Sequence, residues 1–233
     1  MDIIKKLAQE LAIKEEQAKA AVQLIDEGNT IPFIARYRKE MTGALNDETL
    51  RNLHERLLYL RNLEEKKEQV INAITDQGKM TEDLKKKILS AETLVAVDDL
   101  YRPYRPKKQT RATKAKEKGL EPLANILLLQ KTTKSMEEEA AAFVNAEKGV
   151  ANAKEAIAGA KDIIAEMIAD MADYRKSIRN CTMKQGSLVV KAKDEKAESV
   201  YEMYYDFREP LSKVTGYRVL AINRGEKEKF LTV

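Results

Sequence analysis

Between Asn46 and Gln77 the chain carries Leu50, Leu53, Leu57 and Leu60, then Ile71 and Ile74, with no Gly or Pro among them. Steps of three and four place these residues on one face of a helix. Asn46 is a start signal, because its side chain caps a free backbone N–H, and Asp47 and Glu48 suit the positive end of the helix dipole. Gln77-Gly78 ends the pattern. About 30 residues at 1.5 Å each predict a rod of ~45 Å. Such a helix commits the chain to a mostly α fold. Ala, Leu, Glu and Lys dominate the composition and Gly and Pro are sparse, as helices require.

Shorter helices surround this one. Residues 2–12 read as an amphipathic helix, with Ile3, Ile4, Leu7 and Leu11 on one face. A second runs from about Lys14 to Glu27 and is broken by Gly28 and Asn29. Thr30 caps the next, PFIARYRKE, in which Phe33, Ile34 and Tyr37 read as core residues. Thr81 caps a helix to about Ala91, another covers Glu92 to Leu100, and helix resumes near Thr110, stops at Gly119 and restarts at Pro122. Residues 135–146 and 152–176 read as Ala-rich helices, the second closed by Tyr174-Arg175-Lys176-Ser177-Ile178-Arg179. After Gly186 the texture changes. SLVVKAK reads as a strand, KAESVYEMYYDFREPL as helix, and YRVLAINRGEKEKFLTV as two strands around an Arg-Gly-Glu turn. The expected organisation is a multi-helix array: residues 1–76 with a helix-turn-helix-like unit, residues 77–185 with a basic loop, and residues 186–233 as a small α+β segment. Leu231-Thr232-Val233 is apolar within a strand pattern, so the chain is expected to be the front part of a longer protein.

Two basic stretches are candidate nucleic-acid contacts. The first is the helix after Gly28, with Arg36, Arg38 and Lys39 placed to meet a groove or phosphates. The second begins VDDLYRPYRPKK and places Arg102, Arg105, Lys107, Lys108, Arg111, Lys114, Lys116 and Lys118 within 17 residues. There the cations suit phosphates, and Tyr101 and Tyr104 suit stacking on unpaired bases. The plain alternative stands beside it: a solvated loop whose Tyr side chains pack inward and whose Arg residues pair with Asp98 and Asp99. The net charge of +4 does not decide between them.

Other classes find little support. One cysteine, Cys181, forms no internal disulfide and suits a reducing cytoplasm, and with His54 it supplies only two ligands of the zinc type. No metal or cofactor is expected. No run of about 18 apolar residues marks a membrane helix. Asp98-Asp99 is a lone acidic pair, and no phosphate-binding loop or nucleophile motif occurs, so no enzyme is expected.

The segments Thr30–Arg51, Val97–Ala112, Lys118–Ala124, Tyr174–Asn180 and Tyr217–Leu231 resemble, in order, the N-terminal region of Tex-type transcription accessory proteins. IPFIARYRKE and LAINRGEKE are the specific pair. The resemblance implies a bacterial cytoplasmic protein with a helical N-terminal part, followed by an RNase H-like domain, helix-hairpin-helix motifs and an OB-type RNA-binding domain. It implies binding of RNA or DNA, with RNA favoured, during transcription. RNA polymerase or the downstream domains of the same chain are the partners of a rival scaffold reading. Where family members often carry Ser-His-Arg this chain has Gly216-Tyr217-Arg218, so no role of that His transfers to Tyr217.

Overall fold

The computed structural model describes residues 1–233 and divides into two compact units, Met1–Pro106 and Lys107–Val233. Unit one is all helical: α1 (Ile3–Glu10), α2 (Glu15–Asp26), α3 (Ile31–Tyr37), α4 (Asp47–Asp76), α5 (Glu82–Ser90) and α6 (Leu94–Tyr101), with a 3-10 turn over Arg102–Tyr104. Asn46 caps α4 by accepting from the Thr49 N–H at 2.7 Å, and Thr81 and Thr93 cap α5 and α6 in the same way. Thr30 precedes α3 in extended backbone but its side chain makes no capping bond. Gly28, at φ +85°, turns the chain between α2 and α3 in the left-handed region that glycine tolerates best.

The spine α4 serves two cores. Leu50, Leu53, Leu57 and Leu60 pack with Leu7, Ala18, Ala21, Leu24 and Ile34 of α1–α3. Leu63, Val70 and Ile74 pack with Ile88, Ala91 and Val97 of α5 and α6. The gap in the apolar stripe is filled by Lys67, only 2% exposed, whose ammonium donates to Glu64 Oε1 and to the Leu89 carbonyl, each at 2.9 Å. A buried charge is tolerable when paired and hydrogen-bonded in this way.

Unit two begins with α7 (Arg111–Glu117), α8 (Glu121–Leu129) and α9 (Met136–Ala141), all packed on α10 (Ala153–Asp170). Their core is rich in alanine, with Ala112, Ala115, Ala124, Ala156 and Ala160 around Leu120, Leu123 and Ile163. Extended backbone at Met171 ends α10, and α11 (Ala172–Gln185) follows. The expected single helix through 176 is therefore two, and Tyr174–Arg179 lies inside α11 rather than closing a helix.

β1 (Ser187–Ala192) is the expected strand. It is the centre of an antiparallel sheet of order β2-β1-β3, with β2 at Asp206–Pro210 and β3 at Leu231–Thr232. Val190 pairs with Phe207, and Ala192 with Leu231. Two expectations are corrected here. Asp206–Pro210, read as helix, is a strand with Phe207 and Glu209 on its covered side. Gly216–Lys227, read as a strand and turn, is α12. Its Gly225 is there for close approach and not for a hairpin, since a Cβ would meet Leu231 Cδ1 at 2.6 Å and Tyr201 Cδ1 at 3.1 Å. No helix is long and apolar enough to cross a membrane.

Candidate nucleic-acid interface

In unit one, α3 is anchored by Ile34, which is fully buried, while Phe33 and Tyr37 remain 36% and 60% exposed. Both were expected in the core. A seven-residue helix lying on α4 covers one face only, and Ile34 takes it. The two rings lie against each other, centroids 5.2 Å apart and tilted by 46°. The Arg38 guanidinium stands 5.1 Å from the Phe33 centroid, and that of Arg36 5.9 Å from the Tyr37 centroid. Arg36, Arg38 and Lys39 are exposed and make no ion pair; the one side-chain bond among them is from Arg38 to the neighbouring Tyr37 carbonyl. Arg36–Met41 line a shallow groove of about 510 Å³.

The turn that follows is tied down. Gln17 Nε2 of α2 donates to the Thr42 and Gly43 carbonyls at 3.3 and 3.0 Å. The buried Thr42 hydroxyl lies 3.3 Å from both the Arg38 and Lys39 carbonyls, and the Ala44 N–H donates to Lys39 at 2.7 Å. A fixed backbone therefore presents the cations.

The basic segment from Arg102 to Lys118 crosses the boundary between the units. On the unit-one side, Tyr101 and Tyr104 are half-buried against the α4–α6 core. Arg105 donates to Asp98 Oδ1 at 2.8 Å and sits 5.5 Å from the Tyr101 centroid, and Arg102 also interacts with another group of the chain. This half follows the plain alternative of inward tyrosines and an Arg–Asp pair.

On the unit-two side, Lys107 is bound to Asp170 and lies 3.1 Å from Glu166, both on α10. Burial works against its charge, but the hydrogen bonds to Asp170 and Glu166 outweigh it and raise the pKa above the ordinary lysine value. The other oxygen of Glu166 accepts from Thr110 at 2.9 Å, and Thr110 caps α7 by accepting from the Thr113 N–H. Lys107 is thus a latch between the start of α7 and α10. Lys108 and Lys114 are exposed without ion pairs. Arg111 is 87% exposed and only 3.6 Å from Asp162, Lys116 pairs with Glu121 at 3.3 Å, and Lys118 donates to the Gly149 carbonyl at 2.7 Å. Arg111, Lys114 and Lys118 border a shallow cleft of about 250 Å³ that Glu155 and Asp162 also line.

The family model for the Tex-like protein N-terminal domain matches residues 1–75, and that for the Tex central region-like part matches residues 131–233. The chain belongs to the Tex-like family. It is 46% identical to protein YhgF of Escherichia coli (strain K12) across 97% of this chain and 29% of that protein. It is 41% identical to the transcriptional accessory protein Tex of Neisseria gonorrhoeae across 100% of this chain and 31% of that one. It is 32% identical to the S1 RNA-binding domain-containing protein 1 of Homo sapiens across 100% of this chain and 24% of that protein. The Tex-like chain spans about a third of the length of the curated bacterial relatives it matches. The N-terminal match includes α3 and its aromatic–arginine cluster. The functional candidates that sequence reasoning missed are Phe33 and Tyr37. Local spacing carries no such signal, because Ile34 and Tyr37, three apart, also share a helix face.

Proposed function

We propose that this chain is an RNA-holding part of a transcription accessory protein, acting in the cytoplasm by binding and not by catalysis. The observation that carries the reading is the set of exposed cations without carboxylate partners: Arg36, Arg38 and Lys39 beside α3, and Lys108 and Lys114 at α7. An unpaired cation meets a phosphate without first giving up an ion pair. Arg111 joins them, since a mostly exposed 3.6 Å pair holds it weakly. Arg102, Arg105 and Lys107 are engaged within the protein and contribute less. The names of the Neisseria and human relatives favour transcription and RNA over DNA.

The test is a titration of unstructured RNA across a salt series. Log affinity is expected to fall with log salt by about 0.7 per phosphate contact. Reversing Lys108 and Lys114 to Glu weakens binding and flattens that slope. Affinity indifferent to salt and to both reversals sinks the reading.

One observation favours a second reading, docking on RNA polymerase or on other domains of a longer chain. Helix α11 buries none of its residues and exposes Tyr174, Ile178 and Met183. Retention of polymerase by the immobilised chain, lost on Ile178→Asp, supports it.

A further inference from the structure

We infer that the surface of α3 is a stacking site for unpaired RNA bases, with Phe33 and Tyr37 as the platform and Arg36, Arg38 and Lys39 as the phosphate clamp. The inference rests on the RNA reading above and adds to it strandedness and a place. Tyr101 and Tyr104 do not fill this role, because they are half-buried in the α4–α6 core.

Three features converge. Exposed rings are costly in water, and here two of them adjoin on a helix whose buried side is already occupied by Ile34. The Arg38 and Arg36 guanidiniums lie over these rings, 5.1 and 5.9 Å from the centroids, and lack acidic partners, so each can turn to a phosphate as a base takes the ring face. The groove beside them is lined by Arg36, Arg38 and Lys39 against a single acid, Glu40, so its charge complements a polyanion. Gln17 and Thr42 fix the turn, so little ordering is needed when a strand arrives. In a duplex the bases are stacked on each other and offer no free face, so the site selects single strands.

The experiment measures binding of the 233-residue chain to an unstructured RNA oligonucleotide, to an RNA duplex, to a DNA strand of the same sequence and to an acidic peptide. Tyr37→Ala and Phe33→Ala together are expected to weaken the single-stranded RNA complex roughly 5- to 150-fold, the range of one lost base stack. Duplex binding stays within about twofold. Tyr37→Trp keeps the affinity, because indole presents a larger face. Both side chains are exposed, and unchanged circular dichroism confirms that the variants fold. Equal losses on single strand and duplex overturn the stacking site, as does full affinity in the double variant. Tighter binding of the DNA strand or of the peptide overturns the ligand assignment. A wild-type chain that binds no RNA overturns the broader reading and this one with it, whereas binding that survives the double variant but falls with Lys108→Glu and Lys114→Glu overturns this one alone.

Discussion

The turn after α3 and the approach to α7 are both crowded with cations, yet they hold them differently. After α3, Arg36, Arg38 and Lys39 face solvent, and the backbone beneath them is pinned by neutral bonds from Gln17 and Thr42. Before α7, Lys107 is itself the pin, bound to carboxylates of α10 some sixty positions further along. In the first case the scaffold is neutral and the charge is left over. In the second the charge is the scaffold. What a cation can do for a ligand therefore depends on which carboxylates the fold brings to it, and not on how many cations are neighbours in the chain.

The largest effect comes from removing what seats α3. Ile34→Ala opens a cavity under a fully buried side chain and is expected to cost about 2–5 kcal/mol. Urea unfolding followed by circular dichroism shows an earlier transition. The aromatic–arginine cluster loses its support, so RNA affinity falls as well. Loss of stability with RNA affinity intact would mean that α3 takes no part in binding.

A crossed pair of variants sharpens the contrast. Lys107→Met removes the ammonium that Asp170 and Glu166 share and is expected to destabilise by roughly 1–3 kcal/mol, with RNA affinity within about twofold. Lys114→Glu, at an exposed position without an ion pair, is expected to leave the melting temperature unchanged and to weaken RNA binding. If Lys107→Met weakens RNA as much as Lys114→Glu does, the latch is also a contact. Gly43→Ala is smaller. At φ +61°, with a new Cβ 2.7 Å from Gln17 Nε2, it is expected to cost about 1–2 kcal/mol by displacing the bond that pins the turn.

Much of the helical scaffold was legible because its signals are local. Asn46 with its acids, the leucine steps and Gly28 each specify their own few residues. The C-terminal segment was misread where local preference and packing disagree. Val219, Leu220, Ala221 and Ile222 look like a strand, but Ile222 and Gly225, three apart, fit against Tyr201 and Leu231, and that fit selects helix. Phe207 and Glu209 alternate as a strand should, yet the clustered tyrosines just before them suggested helix. The basic positions were legible as residue types only. Whether Lys107 is free depends on Asp170, and whether Tyr37 is buried depends on how much of α3 rests on α4. Neither distance is written in the neighbouring sequence.

The smallest effects come from pH. In unit one the Arg56 hydrogen bond holds Glu10 below the usual carboxylate range against the opposing effect of burial, and Arg61 does the same for Asp26. A carboxylate with a lowered folded pKa favours folding above its unfolded value, near 4.5 for Glu10 and 3.8 for Asp26, and that contribution disappears as pH falls through the folded value. Lys107 has the opposite sign: with its pKa raised from 10.5, the latch is at full strength below that pH and is lost as pH rises through the folded value. These carboxylate pairs are partly exposed, so each is worth about 1 kcal/mol or less. The melting temperature is expected to decline modestly between about pH 5 and pH 3. Replacing Arg56 and Arg61 by Gln flattens that decline, whereas Lys107→Met reduces the alkaline loss and leaves the acid decline in place. A double Arg variant whose acid profile matches the wild type would place the acid-sensitive contacts elsewhere than on Glu10 and Asp26.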